Sequence, residues 1–245
     1  MKIVVKLQKS KIDTITKSLD DNRVVIIKKF YNKKLCNLVV NHLKSIASAS
    51  MTSYYPIKIG SPNFYRVNYD DDRSYVKGFF HQFNYFPWNQ DQLNLFKTFE
   101  DAFVLKNRIN KIEDKRFFYP VNNSDCTIRL SFQFYPSSKG YMDQHSDPVD
   151  YHQKYLFMLS LSTIGKDFYK GGLFTQIDNK TICLDKYASA GDLIILKANK
   201  PHGVKTIDKN KKYNPLSFKG RWMVIFSTNK LIDNKSVRNS KKVES

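Results

Sequence analysis

The stretch "TIRLSFQFY", residues 127 to 135, alternates strictly. Ile128, Leu130, Phe132 and Phe134 fall on one side of an extended chain, and Arg129, Ser131, Gln133 and Tyr135 on the other. A period of two over this length marks a strand with an apolar and a polar face. It is also where the chain changes character. Downstream, "YLFMLSL" (155–161), "GGLFTQI" (171–177), "TICLD" (181–185), "DLIILKA" (192–198), "HGVKTI" (202–207) and "RWMVIFST" (221–228) read as short strands between Gly, Asp, Asn and Pro breaks. Upstream, "RVVIIKKF" (23–30) reads as an opening strand. After it Leu35, Leu38, Val39, His42, Leu43 and Ile46 recur at helical spacing. Asn89, with Gln92 three positions on, reads as the start of a second helix whose apolar side is Leu93, Phe96, Phe99 and Phe103. Residues 53–75, rich in Tyr, Asp and turn formers, read as loop.

Helices first and a run of short strands afterwards predict a mainly β fold with N-terminal helices (α+β). Its core is an antiparallel barrel or jelly roll, cupin-like, buttressed by the helices. The expected organisation is one domain over 1–228, helical over about 20–115 and β-rich over about 120–228, followed by a basic flexible tail at 229–245.

With 41% hydrophobic residues, 18 Phe and 15 Tyr among 245 residues, the chain can bury a real core and is not a disordered one. Cys36, Cys126 and Cys183 are odd in number and far apart, which fits neither a disulfide framework nor a zinc cluster. A reducing, cytoplasmic setting is therefore expected. The N-terminus lacks a secretory apolar run, and no stretch approaches the roughly 18 apolar residues of a membrane span. The net charge is +19, from 41 basic and 22 acidic residues. Such a charge suits nucleic acid, an anionic surface or an acidic substrate. The lysines are scattered, densest at 208–214 and in the tail, and no aromatic-basic nucleic-acid motif accompanies them. Nucleic acid stays open as a partner on charge alone.

The chemistry centres on "YMDQHSDPVDYHQKYLF" (141–157). "SDP" is ordinary turn chemistry, but His145 and Asp147 are two apart, so on an extended segment both project to one side. A third donor can come from His202, in the Pro-His-Gly corner after the strand 192–198, 57 residues beyond His145. Two imidazoles and a carboxylate on one face leave three coordination positions open, the pattern of non-heme Fe(II) oxygenases. His42 sits on the apolar side of a helix; His81 and His152 have no carboxylate partner at matching spacing. A 2-oxo acid cosubstrate would need an anchor for its far carboxylate, and Arg221, opening the last strand, offers a planar fork. Read alone, Arg221 is equally a surface arginine at a strand end.

In this order the pieces resemble the Fe(II)/2-oxoglutarate-dependent dioxygenases with a double-stranded β-helix core. "DDNRVVIIKKFYNKKLCNLV" is similar to the usual opening strand and helix, and "GYMDQHSD" to the H-x-D segment. "YKGGLFTQ", "AGDLIILKANKPHGV" and "GRWMVIFS" are similar to the strands that follow, together covering roughly residues 20 to 228. The resemblance implies that His145, Asp147 and His202 hold Fe(II) and that Arg221 anchors 2-oxoglutarate. With O2, it implies hydroxylation of a substrate C–H bond with release of succinate and CO2. An aspartate at position 147 argues against halogenation, where a small residue stands in its place. One departure weakens the anchor: "DKNKKYNPLSFK" lengthens the gap after His202, and Met223 stands where many members have Ser. Lys205 is the alternative anchor.

Arg129, Gln133 and Tyr135 can line the cosubstrate and substrate pocket if their face points inward, or be solvated if it points outward. "FFHQFNYFPWN" (79–89) can be a pocket wall, a lid or simple packing. The expected substrate is a small polar or anionic metabolite. Two further readings stay open: a demethylase or hydroxylase acting on nucleic acid or protein, and a non-oxidative cupin-like metal protein.

Overall fold

The computed structural model describes residues 3–5, 11–74, 76–122, 125–232 and 241–242. The described strands form one 13-stranded, almost wholly antiparallel sheet that curls on itself. Its larger part runs β1 (Ile3–Val5), β2 (Val24–Ile27), β10 (Leu193–Lys197), β7 (Tyr155–Ser160), β12 (Gly220–Lys230), β5 (Cys126–Pro136) and β4 (Gly78–Tyr85). The smaller part is β6 (Tyr141–Ser146), β11 (His202–Lys205), β8 (Gly172–Ile177) and β9 (Lys180–Cys183). β3 (Phe64–Tyr69) flanks β4, and β13 (Lys241–Lys242) pairs with β6. The curl is made at β4, which pairs with β5 through His81–Tyr85 and with β6 through Gly78 and Phe79. This is a jelly-roll core.

Alternation on β5 sorts the interior into two layers. Ile128, Leu130, Phe132 and Phe134 share one core with the helices α1 (Ile12–Asp20), α2 (Lys33–Ala49) and α4 (Glu100–Ile109), which contribute Leu19, Val39, Leu43, Ala102 and Phe103, with Phe99 just ahead of α4. Each such Phe contributes roughly 1.5–3 kcal/mol on burial. Tyr135 faces the other way, into the space between the two parts of the sheet, with Met158, Leu173, Ile194, Leu196, Val204 and Met223.

Three expectations need correction. The region read as loop, and the aromatic stretch after it, contain β3 and β4; both faces of β4 are covered and each mixes aromatic with polar residues, which hides the period. Asn89 caps no helix: its amide binds Ser61 O and Asn63 Oδ1. Asp91 instead accepts from Leu95 N at 2.6 Å, ahead of a single turn α3 (Leu95–Thr98) that leads into α4. Finally, β12 continues to Lys230, two residues into the expected tail, because its whole length pairs with β5 from Gly220–Pro136 to Lys230–Cys126. The rest of that tail, apart from 231–232 and β13, lies outside the described residues.

Candidate metal centre

His145 and His202 are direct partners across the β6–β11 ladder, their ring centroids 4.3 Å apart. Each Nδ1 is held by a backbone carbonyl two residues earlier: His145 by Asp143 O at 3.0 Å, His202 by Lys200 O at 2.8 Å. A carbonyl only accepts, so each Nδ1 carries the proton and each Nε2 keeps its lone pair. Both Nε2 atoms face Asp147: Oδ1 lies 3.7 Å from that of His145 and Oδ2 3.9 Å from that of His202. Asp147 stands just past the end of β6, fixed by its N–H donating to Ala198 O at 2.9 Å. One ligand atom from each residue falls within 4.8 Å of the others, and no other such group of three donors occurs among the described residues.

The donor set fits a divalent first-row ion. It is two neutral imidazoles with outer hydrogen bonds that set the tautomer, and one carboxylate. Burial first, and then the neighbouring His202, push His145 down to about 4, against the pull of Asp147. The imidazole is thus unprotonated at neutral pH, as a ligand must be. The other histidines are occupied elsewhere. His81 Nδ1 is 2.6 Å from Tyr65 OH, His42 Nε2 is 3.3 Å from Tyr85 OH, and His152 is buried against Phe117 and Tyr151.

The polar face of β5 points inward. Tyr135 OH donates to Gln133 Oε1 at 2.5 Å, and Arg129 Nη1 donates to Asn84 Oδ1 at 3.0 Å. Burial, then the charge of Arg66, lowers the Arg129 guanidinium to about 10. Arg221 pairs with Tyr135 across β5–β12 and lies inside the barrel, but its fork is not open: Nε and Nη2 are bound to Asp185. The remaining edge carries Nη1, 2.7 Å from Met223 Sδ. Burial works against the Arg221 charge; the Asp185 carboxylate outweighs it and raises the pKa. Lys205, the alternative anchor, is three residues past His202 and exposed, its Nζ 5.8 Å from the Phe174 ring centroid. The sequence reading missed Asp185, which looked like a strand end, and the inward Arg66, Gln82 and Asn84 of β3 and β4. Recognising β4 as a strand is the signal that would have found the last two.

No protein-family model and no curated protein sequence matches the chain. Solved structures do. A prolyl-4-hydroxylase of Pseudomonas putida matches with TM-score 0.53 at 10% identity, over 87% of this chain and 96% of that one. A Trichoplax adhaerens prolyl hydroxylase, solved with a hypoxia inducible factor peptide fragment, matches at 0.50 and 12%, over 89% and 88%. A non-heme α-ketoglutarate-dependent epimerase of nogalamycin biosynthesis matches at 0.50 and 8%, over 97% of each chain. The fold of this chain is that of the Fe(II)/2-oxoglutarate-dependent oxygenases, with a His145–Asp147–His202 donor set carried on β6 and β11.

Proposed function

We propose that the chain is a non-heme Fe(II)- and 2-oxoglutarate-dependent dioxygenase that hydroxylates a C–H bond of a small polar or anionic metabolite. The observation that carries this reading is the inward-facing His145–Asp147–His202 set, with both Nδ1 atoms tied to carbonyls and both Nε2 atoms turned to one carboxylate. When bound, iron and 2-oxoglutarate supply O2 activation coupled to decarboxylation, giving succinate and CO2.

The chain's own residues do the positioning. His145, His202 and Asp147 hold the metal and leave one side of it open. Arg221 offers its Nη1 edge to the distal carboxylate of the cosubstrate, while Asp185 keeps the guanidinium in place. Tyr135 and Gln133 line the way between, on the inner face of β5. The apolar layer of Met158, Leu173, Ile194 and Val204 excludes water there. Asp147, as a carboxylate ligand, favours hydroxylation over halogenation. Free Cys36, Cys126 and Cys183 support a reducing, cytoplasmic setting, and no helix among the described residues is long and apolar enough to cross a membrane.

The test is an anaerobic titration with Fe(II) and then 2-oxoglutarate, followed by a metabolite screen in air for stimulated succinate release. A weak visible charge-transfer band and stimulated turnover are expected. Metal binding without any 2-oxoglutarate turnover would favour the non-oxidative cupin-like alternative.

A further inference from the structure

The inner face of β3, β4 and β5 carries a second polar cluster beside the metal donors, near enough for Asp147 to act on the Arg129 charge. Arg66 Nε donates to Gln82 Oε1 at 2.7 Å, and Gln82 Nε2 donates to Ser131 Oγ at 2.7 Å. Beside it, Arg129 donates through Nη1 to Asn84 Oδ1. That last pair leaves two buried groups without a partner, Arg129 Nε and Asn84 Nδ2. Both are donors, and they belong to residues already bonded to each other. Asn84 is wholly buried, and Arg129 is half-buried with its Nε inside. Buried polar groups are ordinarily satisfied, so two orphan donors on one bonded pair of residues call for an acceptor. Arg129 and Arg66 both place positive charge there, which selects an anion over a neutral acceptor. A carboxylate is a planar anionic acceptor suited to the Nε–H edge of the guanidinium, while Asn84 holds the Nη1 side in place.

The place on the strand separates this cluster from the cosubstrate anchor. Arg129 lies opposite Ser227, and Tyr135, the partner of Arg221, is six residues further along β5. At a rise of about 3.3 Å per residue the two arginines stand about 20 Å apart along the strand, too far to hold the same small anion. We propose that Arg129, with Asn84 and beside Arg66, binds a carboxylate group of the substrate. The proposal rests on the functional reading above and narrows the substrate to a carboxylic acid.

The experiment reads binding and not turnover, so it stands apart from any failure of the oxygenase reading. Arginine side-chain 1H–15N spectra of the full-length chain are followed during titration with acetate, with acetamide as the neutral match, in the presence and absence of Zn(II). The Arg129 Nε–H signal is identified as the one lost in Arg129→Lys. A saturable shift of that signal with acetate in both metal conditions, absent with acetamide and weakened at least fivefold in Asn84→Leu, is expected. No saturable shift, an equal shift with acetamide, or a shift seen only with Zn(II) present would overturn the proposal. A response to inorganic phosphate without one to acetate would overturn the carboxylate class.

Discussion

Arg221 and Asp185 face each other as a two-point ion pair inside the protein, Nε 2.7 Å from Oδ2 and Nη2 3.0 Å from Oδ1, with side-chain exposures of 1% and 4%. The carboxylate is itself pinned. Leu173 N donates to Oδ2 at 2.6 Å, and Gly172, with φ +106°, leaves the room it needs, since a Cβ there would meet Oδ2 at 2.3 Å. The arginine is thereby oriented before any ligand arrives.

Removing one partner strands the other as a buried, unpaired charge. Asp185→Ala should cost about 3–5 kcal/mol and lower the melting temperature by on the order of 10 °C. Replacing both partners, as Asp185→Leu with Arg221→Met, should recover most of it. Thermal unfolding of the three proteins decides this; an Asp185→Ala melting curve that overlays wild type would refute it.

At the metal centre, His145→Ala and His202→Ala should each abolish the band formed by Fe(II) and 2-oxoglutarate under nitrogen, with the fold retained by circular dichroism. Asp147→Gly should lower hydroxylation by orders of magnitude. Wild-type turnover in Asp147→Gly would remove Asp147 from the ligand set.

If Arg221 anchors the cosubstrate, Arg221→Lys keeps the charge but loses both the two-point hold on Asp185 and the Nη1 edge that hold positions. With charge-assisted hydrogen bonds worth roughly 1.5–3 kcal/mol each, it should weaken 2-oxoglutarate binding about tenfold. Lys205→Ala should leave the affinity unchanged, because Lys205 stands exposed over Phe174. Anaerobic titrations of the two variants against wild type supply the comparison. The reverse pattern would move the anchor to Lys205.

Stability should fall on mild acidification for reasons unrelated to the metal. Burial lowers His81 and His152 to about 4 each; for His152 the carboxylate of Asp150 opposes the shift. An unfolded histidine takes up its proton near 6.5, so between about 6.5 and 4 the unfolded chain binds protons that the native chain refuses. The contribution is therefore complete above pH 6.5 and lost as pH falls towards 4, up to about 3 kcal/mol per residue. Urea unfolding at a series of pH values should show that slope, and His152→Asn should flatten it. An unchanged slope would mean that His152 accepts its proton in the native state.

The donors of the metal centre were legible in the sequence because their chemistry is local: H-x-D on an extended segment forces two side chains together. His202 was harder, since its partnership depends on pairing across 57 residues, and only the ordered resemblance pointed to it. Most strands of the β-rich half showed because they have an apolar face or an unbroken apolar run bounded by turn residues. β4 did not: Phe79, Phe80, Phe83 and Tyr85 are buried on two different faces, and the aromatic run masks the period. The pairing of Arg221 with Asp185 had no signal at all, because the two are 36 residues apart and neither position suggests burial.

The cross-strand meeting of His145 and His202 would also make a bound metal a thermodynamic clasp. The unfolded chain offers these donors at the ends of a long open loop, whose closure is entropically costly, so an ion binds the folded state in preference. Free metal at a hundred times its dissociation constant would then add about 2.7 kcal/mol to the stability of the whole barrel. Loading state and lifetime of the polypeptide would then be one variable: metal-free chains would unfold more often, and a chelator would act as a mild denaturant.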